Sequence, residues 1–113
     1  MIETYAFGKM QINGRVYTQD LKIIGRRIIP GWWRKNGHAV EPDDIRDVLD
    51  AGVEKLILGQ GDPGRMKSTP ELKQLLSEKK IEIVEAPTRE AVSRFNQLIR
   101  ENENIAAGFH LTC

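Results

Sequence analysis

The sequence contains one cysteine, two histidines and no long apolar run. A single cysteine excludes an intramolecular disulfide, and the three soft ligands fall short of the roughly four that a structural zinc site takes. A membrane-spanning helix needs ~18 consecutive apolar residues, and no segment comes near that length. We therefore expect neither a metal site nor a membrane partner, and the lone cysteine fits a cytoplasmic location.

An excess of charge of either sign is missing as well. The 17 lysines and arginines are balanced by 16 aspartates and glutamates, and both types are spread over the whole chain. Because nucleic-acid-binding domains carry basic patches and a basic overall balance, this composition argues against that class of partner. With 40% hydrophobic and 29% charged residues, residues 1–113 are expected to form one globular domain.

The first third of the chain shows the pattern of antiparallel strands. Asn13-Gly14 predicts a two-residue hairpin turn, because both residue types tolerate positive φ angles. Further short strands are expected before Gly25 and before Pro30-Gly31. The predicted strands cover residues 9–12, 15–18, 21–24 and 28–29. Residues 31–39 are polar and aromatic without periodicity, which indicates a loop.

The rest of the chain alternates helical and strand patterns. Pro42, the aspartates that follow it and Gly52 mark the start and the end of a first helix. Two more helices are expected to begin at Thr69-Pro70 and at Thr88, and Thr88 is predicted to cap its helix. Apolar strands are predicted at residues 53–58, 81–84 and 105–111. The fold class is therefore α/β, with N-terminal antiparallel strands layered beside a C-terminal β-α-β-α-β parallel unit.

A glycine-rich loop, residues 59–64, leaves the first of these apolar strands with the spacing G-x-G-x-x-G. In a dinucleotide site the helix begins inside this motif, so that its free N–H groups meet the pyrophosphate. Here Pro63 has no N–H and the helix starts only at Pro70, so a simple turn is the preferred interpretation. Loop amides and nearby cations would still suit a carboxylate or phosphate group. The predicted anion site comprises Gly59, Gly61, Asp62, Arg65 and Lys67.

A cationic segment with two adjacent tryptophans precedes the first helix. No acidic residue interrupts its cations, which are Lys22, Arg26, Arg27, Arg34 and Lys35. Basic residues interleaved with aromatics suit single-stranded nucleic acid, whereas in a purely structural interpretation the isoleucines pack inward and the cations face water. Trp and Arg are also preferred anchors of protein interfaces, and two adjacent tryptophans cannot easily both face one core. The predicted partner-binding residues are Trp32, Trp33 and Arg34.

No catalytic constellation is visible in the sequence. His110 and Cys113 have an H-x-x-C spacing, but residues three apart on a strand point to opposite faces, and His38 lies far away in the sequence. A nucleophilic Cys113 would stand at the last position of the sequence, where positioning is usually poor. We expect no catalytic residue, no metal and no cofactor.

Several short motifs resemble those of the Mth938-domain family. They are the segment Gly108–Cys113, the pair Trp33-Arg34, Pro42 at a helix start, Gly59-x-Gly61 after a strand, and Phe95-Asn96-x-Leu98. The resemblance covers nearly the whole chain and implies an α/β fold with a layer of antiparallel strands beside a parallel part. This family consists mostly of uncharacterised archaeal and bacterial proteins. Its animal relatives include an adipogenesis-associated protein and an assembly factor for respiratory complex I, and neither role implies catalytic residues in this chain.

The leading hypothesis from the sequence is a non-enzymatic cytoplasmic binding or assembly module. Its working surface would combine the segment around Trp32 and Trp33 with the glycine-rich loop, and its partner would be another protein. The alternative is an enzyme or sensor that binds a small anionic metabolite at residues 59–67. Nucleic-acid binding ranks third.

Overall fold

The computed structural model describes all residues from 1 to 113. The strands are β1 (Ile2–Ala6), β2 (Lys9–Ile12), β3 (Arg15–Tyr17), β4 (Leu21–Ile24), β5 (Arg27–Pro30), β6 (Ala39–Val40), β7 (Lys55–Gln60), β8 (Lys67–Ser68), β9 (Glu82–Ala86) and β10 (Ile105–His110). The helical segments are a 3₁₀ turn (Pro42–Ile45), α1 (Arg46–Asp50), α2 (Pro70–Glu78) and α3 (Thr88–Arg100). None of these helices has the length and apolar character needed to cross a membrane.

A five-stranded mixed sheet forms the centre of the fold, with the strand order β5-β4-β10-β7-β9. β10, β7 and β9 pair in parallel, β4 pairs antiparallel with β10, and β5 pairs antiparallel with β4. β1, β2 and β3 form a separate antiparallel sheet, and β6 and β8 form a short parallel pair. The predicted α/β class, with N-terminal antiparallel strands beside a C-terminal parallel unit, is confirmed. The carboxyl ends of β10, β7 and β9 therefore meet at one rim of the sheet.

Two hydrophobic clusters cover the two faces of this sheet. One is centred on Phe95 of α3 and Phe109 of β10, whose rings meet edge to face at 5.8 Å. The other contains Trp32 and the apolar side chains of α1 and α2. β7 contributes to both, because Ile57 faces the first cluster while Leu56 and Leu58 face the second. This burial on both faces explains why β7 reads as a continuous apolar run.

The N-terminal hairpin forms where the sequence predicts it. Asn13 and Gly14 have φ angles of 51° and 84° between β2 and β3, and Ile12 pairs with Arg15 across the turn. Positive φ at both positions gives the turn a twist that matches the twist of the flanking strands.

Two local predictions are wrong. Thr88 is the first residue of α3 and follows Pro87, so it does not cap the helix. Its hydroxyl instead donates to the His110 carbonyl oxygen at 2.6 Å and accepts the N–H of Gly61 at 2.8 Å, which ties α3 to the rim. The helix after Pro42 is not continuous, because Ile45, with φ −136°, separates the 3₁₀ turn from α1. β1 was not predicted, and neither was the β6–β8 pair, whose two-residue strands are too short to show periodicity.

Candidate functional site

Three consecutive residues after β5 occupy very different environments. Trp32 is 6% exposed, Trp33 is 76% exposed, and Arg34 is again buried at 8%. Trp33 is the most exposed of the large hydrophobic residues in the chain. The expectation that one of the two tryptophans lies outside the core is therefore met, and Trp33 is the one that does.

Trp32 is fixed from both ends of its indole. The indole N–H donates to the carbonyl oxygen of Asp44 at 2.9 Å, and the six-membered ring lies directly over Gly108 of β10. A β-carbon at Gly108 would stand 2.6 Å from this ring, so only glycine leaves room for the indole. Lys35, two residues after Trp33, also donates its backbone N–H to Asp44, through the carboxylate at 3.3 Å. Both sides of Trp33 are thus attached to the 3₁₀ turn.

Arg34 turns inward and stacks on Trp32. Its side chain is only 4% exposed, and its guanidinium carbon lies 4.5 Å from the centre of the Trp32 ring. Nη2 donates to the Asp20 carboxylate at 2.8 Å and to the carbonyl oxygen of Gly37 at 3.0 Å. A buried guanidinium needs such a partner, because an unpaired charge in the interior is strongly destabilising.

Asp20 connects this arginine to the end of β10. The same carboxylate lies 2.7 Å from Nδ1 of His110, and it accepts the backbone N–H of Leu111 at 2.8 Å. Because a carboxylate can only accept, the neutral imidazole carries its proton on Nδ1. Burial raises the pKa of Asp20, but the hydrogen bonds from His110, Leu111 and Arg34 together outweigh it, so the pKa of this carboxyl lies below its ordinary value. We call Asp20, Arg34 and His110 the ionic cluster.

Several nitrogen atoms of the ionic cluster have no partner within the protein. They are Nε and Nη1 of Arg34 and Nε2 of His110, all buried. The His38 ring lies edge-on to the His110 ring, with 5.9 Å between the ring centres. Buried polar atoms without a partner are uncommon in proteins, so these nitrogens are the atoms of the ionic cluster left to bind a water molecule or another polar group. No group of three or more histidine, cysteine, aspartate or glutamate side chains is arranged to hold a metal ion.

The glycines of the predicted anion site serve close packing at the rim. A β-carbon at Gly59 would lie 2.7 Å from the Phe109 ring, and one at Gly61 would collide with the carbonyl oxygen of Thr112 and lie 2.6 Å from His110. The N–H of Gly61 is bound by Thr88, and the N–H of Asp62 donates to Thr112 at 3.0 Å. These amides are therefore already occupied within the protein.

The charged members of that predicted site remain at the surface. Asp62, Arg65 and Lys67 are exposed, and none of the four cavities in the structure is lined by them. The N–H of Lys67 donates to the His38 carbonyl oxygen at 3.1 Å in the β6–β8 pair. The predicted loop of residues 31–39, which contains both tryptophans, therefore adjoins the glycine-rich loop through this bond, while anion binding at the glycine-rich loop stays a prediction.

A cleft of about 370 Å³ opens beside Trp33, and we call it the Trp33 cleft. Besides Trp33 and Pro42 it is lined by four acidic residues, Glu41, Asp43, Asp44 and Glu71, and by two basic ones, Lys35 and Arg46. Asp43 and Arg46 pair with each other at 2.9 Å on the surface. The lining therefore carries an excess of negative charge next to an exposed indole.

Of the residues predicted for partner binding, only Trp33 has a freely exposed side chain. Trp32 and Arg34 lie beneath it and hold the segment in place. Sequence reasoning missed Asp20, which organises the ionic cluster, and assigned His110 no role. The available signal was weak: a buried arginine requires an acidic partner, and Asp20 is the acidic residue next to the cationic segment.

Comparisons with known proteins agree on a fold and leave the function open. The model of a family described as proteins of unknown function, DUF498/DUF598, matches residues 2–110. A conserved hypothetical protein from Pyrococcus horikoshii is 27% identical, with a TM-score of 0.85 over 100% of this chain and 99% of that one. A Bartonella henselae structure described as an outer membrane protein is 26% identical, with a TM-score of 0.84 over 99% and 94% of the two chains. A Mth938-like domain from Bordetella pertussis, 14% identical, has a TM-score of 0.70 over 98% and 85%.

Proposed function

Since the chain belongs to the DUF498/DUF598 family of Mth938-like proteins, whose function is unknown, we propose that it is a protein-binding module that docks its partner at Trp33. The observation that carries this proposal is the 76% exposure of Trp33 beside the Trp33 cleft. Tryptophan is the side chain most enriched among the residues that dominate binding energy in protein interfaces. A cytoplasmic, non-enzymatic role is part of the proposal.

The anchoring of the neighbouring residues supports this role for Trp33. Trp32 and Lys35 are both attached to Asp44, and Arg34 is attached to Asp20. A backbone fixed in this way loses little conformational entropy when a partner binds, so more of the contact energy appears as affinity. An exposed indole on a rigid segment is thus better suited to binding than the same residue on a mobile loop.

The charges around Trp33 indicate which partner surface fits. Four acidic and two basic residues line the Trp33 cleft, and an indole face attracts cations. We therefore expect the partner to insert a lysine or arginine side chain beside Trp33, with affinity that falls as the salt concentration rises.

Photo-crosslinking from position 33 tests the proposal. Benzoylphenylalanine in place of Trp33 should give a discrete adduct with one cellular protein, and excess wild-type protein should compete it away. The same crosslinker in place of Phe7, which is 57% exposed at the other sheet, is the matched control and should give no such adduct. Equal adducts from both positions, or equal competition by Trp33→Ala protein, would argue against docking at Trp33.

A second candidate function is the binding of a small anionic ligand where the glycine-rich loop, residues 59–67, meets the ionic cluster. The unpartnered Nε and Nη1 donors of Arg34 at this rim favour it. Inorganic phosphate, acetate and nucleotides can be screened by thermal shift, since a ligand at ~100 times its dissociation constant adds about 2.7 kcal/mol of stability. The shift in unfolding temperature should vanish in Arg65→Ala/Lys67→Ala protein and persist in Lys35→Ala protein. If none of the three ligand types raises the unfolding temperature of the wild-type protein, this candidate function is excluded.

A further inference from the structure

The two edges of the five-stranded sheet differ in how well they are protected. β5 carries Arg27 and Pro30, a charge and a residue without an N–H, both of which discourage another strand from pairing there. β9 forms the opposite edge with five residues, Glu-Ile-Val-Glu-Ala, and contains neither proline nor lysine. β9 carries charges of its own at Glu82 and Glu85, but each of its residues keeps a backbone N–H, whereas Pro30 removes one from β5.

The pairing of β9 with β7 determines which backbone groups face outward. The N–H of Glu82 donates to the Glu54 carbonyl oxygen at 2.9 Å, so Glu82 points its backbone groups towards β7. Because successive residues of a strand alternate, Val84 and Ala86 also bond to β7, in agreement with their parallel register. The N–H and C=O groups of Ile83 and Glu85 consequently face away from the sheet and have no backbone partner.

A groove runs beside this free edge. It has a volume of about 390 Å³ and lies between β9 and the outer surface of α3. Val84 and Ala86 give it an apolar strip, and the α3 side is formed by Glu90, Ser93, Arg94 and Gln97. These four positions follow helical spacing, so they line one face of α3 along the groove. An open strand edge flanked by a helix is the arrangement that lets an extended peptide bind by adding a strand.

We propose that an extended segment of another protein binds in this groove as a sixth strand, paired with the outward backbone groups of Ile83 and Glu85. Alternate side chains of the segment would contact Val84 and Ala86, so the segment should be apolar at every second position. A second copy of this chain fits less well, because β9 paired with itself would place four carboxylates, those of Glu82 and Glu85 of each copy, along one short pair of strands where they repel each other.

This second binding surface is separate from the first. No residue lines both the groove and the Trp33 cleft, and the two are lined by different elements. Binding in the groove is therefore independent of docking at Trp33. Loss of Trp33 should leave peptide binding in the groove unchanged.

Selection from a phage-displayed library of short random peptides tests the proposal. Peptides enriched on the wild-type protein should show alternating apolar residues, and their affinity is measured by fluorescence anisotropy. Ser93→Trp places an indole on the exposed face of α3 and should fill the groove, weakening binding by about tenfold or more. Ser77→Trp, the same change on the exposed face of α2, is the matched control and should leave affinity unchanged.

Hydrogen exchange supplies the readout that a purely apolar contact would not produce. Bound peptide should slow amide exchange at Ile83 and Glu85, whose N–H groups gain partners, more than elsewhere in the chain. Ile83→Pro removes one outward donor without touching the β7 pairing and should weaken binding as Ser93→Trp does. Enrichment of no peptide, equal affinity for Ser93→Trp protein, or unchanged exchange at Ile83 and Glu85 would each overturn the proposal.

Discussion

Trp32 and Trp33 are neighbours in the chain, yet Trp32 lies in a buried region that the fold depends on and Trp33 lies in an exposed one. Beneath the backbone of residues 32–34, Trp32, Arg34 and His110 are buried and Asp20 is partly buried, and their polar contacts connect the start of β4, the end of β10 and the 3₁₀ turn. Above it, the side chains of Trp33, Asp43 and Arg46 in the Trp33 cleft face solvent and make few contacts that the fold requires. The comparison separates residues that the fold needs from residues that are free to serve binding.

The largest difference in the free energy of unfolding is expected between the Trp32→Ala and Trp33→Ala variants. Trp32→Ala removes a buried indole and its hydrogen bond to Asp44, so the free energy of unfolding should fall by about 4 kcal/mol. Trp33→Ala should change it by no more than about 0.5 kcal/mol, because the side chain is exposed. Urea denaturation of the two variants measures both values. Similar losses in the two variants would mean that Trp33 is part of the core.

The next largest effect should come from the ionic cluster. Asp20→Ala leaves Arg34 and His110 without their shared acceptor, and unfolding free energy should fall by about 3 kcal/mol. Asp43→Ala breaks the exposed pair with Arg46 and should cost less than about 0.5 kcal/mol. Chemical denaturation again provides the comparison. A small effect at Asp20 would show that the cluster adds little to stability.

Two glycines offer a matched test of packing at the rim. Gly61→Ala should destabilise the protein by about 2 kcal/mol, because φ is +89° and the new methyl group would meet Thr112 and His110. Gly37 has open space around it, and Gly37→Ala should change stability by less than about 1 kcal/mol. Thermal unfolding of both variants measures the difference in stability. Tolerance of alanine at Gly61 would mean that the rim is less tightly packed than described.

A smaller effect is expected in the pH dependence of the free energy of unfolding, and it comes from the lowered pKa of Asp20. Its pKa is lower in the folded protein than in the unfolded chain, so its contribution is fully present above the unfolded value of about 3.9. That contribution is lost as the pH falls through the folded pKa. The difference in unfolding free energy between the wild-type and Asp20→Asn proteins should therefore shrink as the pH drops below about 4. A difference that stays constant would indicate that the carboxyl group is not stabilised by its partners.

The sequence predicts those features that depend on neighbouring residues. Asn13-Gly14 predicts its hairpin because turn geometry is local, and the apolar run of β7 predicts a strand buried on both faces. The ionic cluster is different, since Asp20 and His110 are 90 positions apart and meet only through the pairing of β4 with β10. Which tryptophan is buried depends on the space above Gly108, and no local pattern encodes that space.

The glycine-rich loop shows how a motif can mislead. Its spacing matches a dinucleotide fingerprint, yet Gly59 and Gly61 are required by contacts with Phe109, Thr112 and His110. Those contacts come from β10 and the residues that follow it, far along the chain. A sequence pattern therefore identified the positions where backbone must approach closely, without indicating what approaches.

The most direct test of the binding role uses the partner that is crosslinked to position 33. Its affinity is measured for two variants that each lose one exposed aromatic side chain, Trp33→Ala and Phe7→Ala. We predict that Trp33→Ala weakens binding by more than about tenfold, while Phe7→Ala leaves it within about twofold of the wild-type value. Equal affinities of the partner for these two variants would contradict docking at Trp33.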